Sequence, residues 1–321
     1  MYNTTIGTDI EKAKALLAAG ELVAIPTETV YGLAANGFNE AAIAKIYAAK
    51  NRPQFNPLIL HVANVEQAEK LVTEIPDACK RLMQSFSPGP ITYLLPKSSL
   101  VPDLVTAGSS RVAIRIPNHP MALDLLSRLD FPLAAPSANP SGYVSPVSAD
   151  HVMQGLHGKI PYILDGGSCS VGLESTIVGF ENDTVVIHRL GGITAEQIRL
   201  VSGTEVRTAL SHAAPTAPGQ LKSHYATSKP LLIGDVEPLI NAFEGKKIGL
   251  LMFEHSAGIA VEKEILLSPS GSLEESASGL FRAMRLLDQS DLDVIIAQRF
   301  PDTGIGRAIN DRLERAAYKG D

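Results

Sequence analysis

Residues 21–33, ELVAIPTETVYGL, decide the fold class. The apolar run at 21–26 predicts a buried strand, and four polar residues, Thr27, Glu28, Thr29 and Tyr31, follow directly. Proteins of the α/β class place ligand contacts at such strand ends. A plain turn closed by a threonine hydroxyl has the same composition, so this stretch alone leaves both readings open. Outward from it, Asn39 is placed to cap a helix whose apolar positions, Ala41, Ile43, Ile46 and Tyr47, follow helical spacing, and Pro53 stops it. Strands are predicted for PLILHV (57–62), ITYLLP (91–96) and RVAIRIP (111–117), with helices over 65–72, 77–86 and 120–129. FPLAAPSANPSG reads as a strand ending in a turn-rich loop. Short strands in PYILDGG, ESTIVGF and TVVIHRLGG follow, and TAEQIRLV reads as a capped helix. Alternating strands and helices define an α/β fold.

The stretch SHAAPTAPGQLKSHYATSKP (211–230) breaks this rhythm with prolines and small residues, the composition of an extended linker. Beyond it strands and helices resume, predicting a second, small, parallel α/β unit. The domains are therefore expected at 1–205 and 231–321, joined by a linker over 206–230. A chain of 321 residues with 45% hydrophobic and 19% charged residues suits two such cores and excludes disorder.

Cys79 and Cys169 stand far apart with no CxxC spacing, so neither a disulfide framework nor a zinc knuckle is expected. The N-terminal residues read as a first helix rather than a signal peptide. No run approaches the ~20 apolar residues of a membrane span, so a cytoplasmic protein is expected. A net charge of -6 with no Lys/Arg stripe argues against extended nucleic-acid binding, while a local cationic pocket leaves room for weak RNA contact.

No phosphate loop of the GxxxxGK[ST] type, no GxGxxG, no HExxH and no GxSxG occurs. A nucleotide site here has to be built from dispersed side chains. Lys50 and Arg52 follow the Asn39-capped helix, where a helix C-terminus attracts cations in any case. Asn56 and His61 flank the next strand. Arg111 and Arg115 share one face of theirs, and such a face is either exposed or paired with anions. Ser137, Asn139, Ser141 and Ser145 crowd a proline-rich loop, Glu174, Ser175 and Thr176 begin one strand, and Arg189 ends another. Five cations at element ends of an acidic protein point to a pocket for an anionic small molecule, since unpaired they would repel one another.

Taken together, IPTETVYGLA, KNRP…NPLILHV, SPGPITYLLP, RVAIRIP, PSANPSG, LESTIV, HRLGG, APGQLKSHYA and GIGRAINDRLERAA resemble the YrdC-like family in its two-domain form. The resemblance implies an open twisted sheet with a concave cationic cavity, followed by a smaller Rossmann-like domain. It implies a nucleotidyltransferase that joins L-threonine, bicarbonate and ATP into threonylcarbamoyl-AMP, releasing pyrophosphate and water. The product would pass to the transferase proteins that modify the adenosine beside the tRNA anticodon. Carried over by position, Thr29, His61, Arg115, Ala135 and Ser175 would hold threonine, and Arg52, Asn56, Arg111, Ser137, Ser145, Arg189 and Tyr225 would hold ATP. Lys50 and Arg52 would serve catalysis, with Mg2+ carried in by ATP and no dedicated protein cage. Arg111 stands where the family has a small hydroxyl residue, and Tyr225 with His224 suggests a linker that acts as a lid. Two other readings are a double-stranded-RNA-binding regulatory module, which the net charge disfavours, and a carbamoyl transferase using carbamoyl phosphate.

Overall fold

The computed structural model describes residues 1–53, 56–209 and 225–318. Eleven strands form one mixed sheet: β1 (Thr5–Gly7), β2 (Val23–Ile25), β3 (Gly32–Asn36), β4 (Ile59–His61), β5 (Ile91–Pro96), β6 (Arg111–Arg115), β7 (Leu133–Ala134), β8 (Tyr162–Leu164), β9 (Thr176–Glu181), β10 (Thr184–Arg189) and β11 (Glu205–Thr208). Their spatial order is β1-β8-β2-β3-β7-β4-β6-β5-β9-β10-β11. Four more strands, β12 (Leu231–Gly234), β13 (Ile248–Met252), β14 (Lys263–Leu266) and β15 (Val294–Gln298), make a second sheet in which every pairing is parallel. Strands with helices in both halves bear out the α/β class.

Helix Glu40–Lys50 shows how local sequence sets an element. The Asn39 side chain accepts the Ala42 N–H at 3.1 Å, and Asn51 closes the other end in the left-handed region at φ 52°. Ala42, Ile43, Ile46 and Tyr47 bury its inner face in the main core, which continues through Leu60, Ile114 and Val178 of the sheet.

Several strands are shorter than their apolar runs. Of PLILHV only Ile59–His61 pairs, and of FPLAAP only Leu133–Ala134. Proline at 57, 132 and 136 lacks the N–H that a ladder needs, so each run is trimmed at its proline. The beginning of the expected linker is also in the sheet, because Glu205–Thr208 pairs in parallel with β10. Of the expected linker, residues 210–224 lie outside the described residues.

Two helices of the C-terminal part pack on strands of the small sheet, one against β13 and the other against β12. Helix Leu273–Gln289 buries Ala277, Leu280, Phe281 and Met284, and helix Gly306–Ala317 buries Ala308, Ile309, Leu313 and Ala316. Each also carries an arginine on that inner face, Arg285 and Arg312, at 1% and 0% exposure. A buried guanidinium is costly unless it is paired, so both report on what they touch.

Candidate active site

A cleft enclosing about 530 Å³, its open mouth included, lies on one face of the large sheet. Period-two alternation turns Ile59 and His61 of β4 onto that face, and the parallel β4–β6 register sets Arg115 directly beside His61. Ser175 and Arg189 meet because β9 and β10 run antiparallel, with Arg189 opposite Ile177. Gly191 permits this closeness. A Cβ there would stand 2.3 Å from the Glu174 carbonyl oxygen.

At one end, Arg115 is fixed on three sides. Its Nη1 donates to Thr29 Oγ1 at 2.8 Å, its Nε to the Gly89 carbonyl at 3.3 Å, and its Nη2 lies 2.7 Å from Glu28 Oε1. Thr29 is held by Thr27, whose Oγ1 lies 2.9 Å from Thr29 Oγ1 and accepts the Thr29 and Val30 amides. Burial, with the Arg115 charge beside it, pushes the His61 imidazole down to about 3, so it is neutral at pH 7. Its Nδ1 has no partner among the described residues.

At the other end, Arg189 donates from Nε and Nη2 to the Ser175 carbonyl at 3.0 and 2.9 Å, and from Nη2 to Ser175 Oγ at 3.0 Å. Ser175 Oγ in turn lies 2.7 Å from Thr92 Oγ1, wholly buried. Arg52 donates to the carbonyls of Asn56 and Pro57. Burial above all lowers both Arg52 and Arg189 to about 10, which leaves them cationic at neutral pH.

Nine of the residues singled out in the sequence line this cleft: Thr29, Arg52, His61, Arg115, Ala135, Ser137, Ser175, Arg189 and Tyr225. Four do not. Lys50, expected to face phosphate, is buried and donates to the carbonyls of Ser137, at 2.5 Å, and Asn139. Burial holds its ammonium well below the usual lysine range. Lys50 thus caps the carbonyls of the 137–139 loop. Arg111 shares the face of Arg115 but lies four residues back along β6, about 13 Å away at strand spacing. There it stands beside His188 rather than at the cleft. Ser145 is buried and donates to Glu174 Oε1 at 2.6 Å. Asn56 is buried, and its amide finds no partner among the described residues.

Two polar wall residues, Thr27 and Glu174, were singled out in the sequence but given no role there. Glu174 joins the two halves of the chain. Arg312 Nε lies 3.1 Å from Glu174 Oε2, while its Nη2 donates to the Leu190 carbonyl at 2.7 Å and its Nη1 to Asp311 at 2.8 Å. Against the pull of burial, Tyr225, Glu174 and Asp311 hold this guanidinium above the usual arginine range. Arg285 grips the loop that carries Ser145, donating to the carbonyls of Val144 and Ser145. The signal for Arg312 was present in the sequence. It falls three residues after Ile309 and four after Ala308, on the apolar face of an amphipathic helix.

Tyr225 lines the cleft and is buried. Its ring stacks on Phe281 at 5.3 Å and lies 5.4 Å from the Arg312 guanidinium. His224 and the body of the expected lid lie outside the described residues. Among the described residues no three of His, Cys, Asp and Glu stand together so as to hold a metal ion, and no helix is long and apolar enough to cross a membrane.

A twisted α/β sheet with a buried cationic cleft, buttressed by a second parallel α/β unit, defines an enzyme of YrdC-like architecture that takes anionic substrates. Residues 15–191 match the family model described as telomere recombination, which covers the Sua5, YciO and YrdC proteins, and residues 193–318 match the threonylcarbamoyl-AMP synthase C-terminal domain. The threonylcarbamoyl-AMP synthase of Bacillus subtilis is 44% identical over 98% of this chain and 94% of its own length. That of Schizosaccharomyces pombe is 36% identical over 92% and 84%. The crystal structure of Pyrococcus abyssi Sua5 complexed with L-threonine superposes with a TM-score of 0.90 at 39% identity, covering 99% of this chain and 97% of that one. The chain belongs to the threonylcarbamoyl-AMP synthase family, nucleotidyltransferase-type enzymes of tRNA processing.

Proposed function

We propose that the cleft gathers L-threonine, bicarbonate and ATP and forms threonylcarbamoyl-AMP, with threonine at the Arg115 end and ATP along Arg52, Ser137 and Arg189. The observation that carries this reading is the convergence of three buried arginines with Thr29, His61 and Ser175 on one cavity. A cavity so lined, with Glu174 as its one lining carboxylate among the described residues and that carboxylate paired with Arg312, has a surplus of positive charge that calls for anions.

In this reading Arg115 takes the threonine carboxylate, as guanidinium groups pair with carboxylates. The neutral His61 gives or takes a hydrogen bond without adding charge, and Thr29, Ser175 and the Ala135 backbone complete the subsite. The amine carries carbon dioxide derived from bicarbonate as a carbamate, whose oxygen attacks the α-phosphate and releases pyrophosphate. Arg52 and Arg189 neutralise the charge that develops on the phosphates, with Mg2+ arriving on ATP. Asn56 supports the nucleotide end from behind, its carbonyl accepting from Arg52, and Lys50 and Ser145 act by shaping the 137–139 loop and Glu174. Tyr225 covers the nucleotide and limits water. A cytoplasmic location and delivery of the product to tRNA-modifying transferase proteins accord with this chemistry.

The test is pyrophosphate release from ATP with labelled bicarbonate, with and without threonine. Threonine-dependent release is expected. Arg52→Ala and Arg189→Ala should each weaken ATP at least about tenfold, the loss of one charge-assisted contact. Wild-type ATP affinity in both variants refutes the assignment of the nucleotide end.

A further inference from the structure

We propose that Glu28 is a positioning residue for Arg115 and thereby sets the preference of the cleft for a substrate that carries a carboxylate. This rests on the reading of Arg115 as the carboxylate partner. Glu28 and Arg115 have side chains 6% and 4% exposed and lie 2.7 Å apart. Neither Glu28 oxygen accepts a hydrogen bond among the described residues, and the contact to Arg115 Nη2 is one of charge rather than of aligned N–H and oxygen. A buried carboxylate without hydrogen bonds is costly to keep, so its neighbour has to account for it.

Both Glu28 oxygens are closed to solvent, and the cleft wall passes from Thr27 to Thr29 without Glu28. What Glu28 reaches is the far side of Arg115. A guanidinium has five N–H donors in a rigid plane. The Gly89 carbonyl and Thr29 Oγ1 each take one, and Glu28 draws Nη2. These three directions fix the plane, and three N–H groups, one on Nη1 and both on Nη2, have no hydrogen-bond acceptor among the described residues. Glu28 holds a charge that burial would otherwise let swing toward the nearest carbonyl, so that Arg115 meets an incoming carboxylate already oriented.

The test compares the full-length wild type with Glu28→Gln and Glu28→Asp in threonine-dependent pyrophosphate release. L-threoninol, which lacks the carboxylate, serves as a competing probe. Glu28→Gln should raise the KM for threonine about tenfold or more, leave the KM for ATP within about twofold, and leave inhibition by threoninol unchanged. Glu28→Asp, which keeps the charge at a longer reach, should fall between. A general loosening of the site would weaken threonine and threoninol alike, and that result overturns the proposal, as does wild-type threonine KM in Glu28→Gln. Should Glu28→Gln not fold, Glu28→Asp decides by the same contrast: threonine weakened but threoninol spared supports the proposal, and any other pattern overturns it. Absence of threonine-dependent release in the wild type would sink the reading of the cleft itself, a separate outcome.

Discussion

Replacing Arg312 by methionine should destabilise the protein far more than its place in the last helix suggests. The guanidinium is fully buried, lies 3.1 Å from the Glu174 carboxylate and donates to the Leu190 carbonyl. Two unit charges at that distance attract by about 5 kcal/mol at an effective dielectric of 20. Methionine matches much of the volume but takes the Arg312 charge away from the buried Glu174, to which the Ser145 hydroxyl still donates. Breaking a buried pair from one side costs about 3–5 kcal/mol. Replacing both members, as in E174Q/R312M, removes the charges together and keeps the Ser145 hydrogen bond to an amide oxygen. The double variant should therefore recover at least about half of the loss. Urea denaturation of the wild type, the single variant and the double variant measures both quantities. A loss below about 1 kcal/mol in R312M, or a double variant no more stable than the single, would refute the view that Arg312 serves as counterion to Glu174. The same pair of variants reads out on catalysis, since an unmatched Glu174 in the cleft wall should repel ATP and raise its KM in R312M more than in the double variant.

His61 titrates at about 3 in the folded protein against about 6.5 when unfolded, so its contribution is complete above pH 6.5 and fades as the pH falls toward 3. At pH 5 this share amounts to about 2 kcal/mol of lost stability, and His61→Gln should flatten the stability profile between pH 6.5 and 4 by about 3 kcal/mol relative to wild type. An unchanged slope in denaturant melts across that range would contradict the depressed value. Lys50→Met strips the donor from the Ser137 and Asn139 carbonyls and should cost roughly 1–3 kcal/mol. Lys50→Arg, too bulky for that buried slot, should not restore it. A Lys50→Met melt equal to wild type would show that the loop holds its shape without the ammonium.

The α/β class and the parallel character of the second sheet were legible, because alternating apolar runs and capped helices are local properties of the chain. Asn39 is the plain case, as its cap is written in four consecutive residues. Strand ends were less legible. Proline at 57 and 132 says where pairing stops only once the neighbouring strands are known. For the cleft, residue type and position on a strand found Arg115, His61 and Arg189, but period two alone could not separate Arg115 from Arg111. Which of two arginines on one face lies over the cavity depends on where β4 ends beside β6, a fact of tertiary register. Lys50 misled for a related reason: a cation after a helix looks available, yet the 137–139 loop folds back to consume it. Glu28 and Glu174 carry charge of the wrong sign for an anion pocket, so composition gave no cause to count them among its supports. Their arginine partners, 87 and 138 residues distant in sequence, reveal them only in the folded chain.

The span between Glu174 and Arg312 also sets a clock on the birth of the enzyme. Glu174 leaves the ribosome 138 residues ahead of the arginine that matches it. At the 5–20 residues per second of translation, that interval lasts roughly 7–28 seconds. Through it the large sheet can form, but one wall of its cleft carries a carboxylate without its counterion and a Leu190 carbonyl without its donor. The substrate-ready form therefore appears late, after the final helix has emerged and turned back. A synthase interrupted before residue 312 would leave a folded sheet that binds its nucleotide poorly.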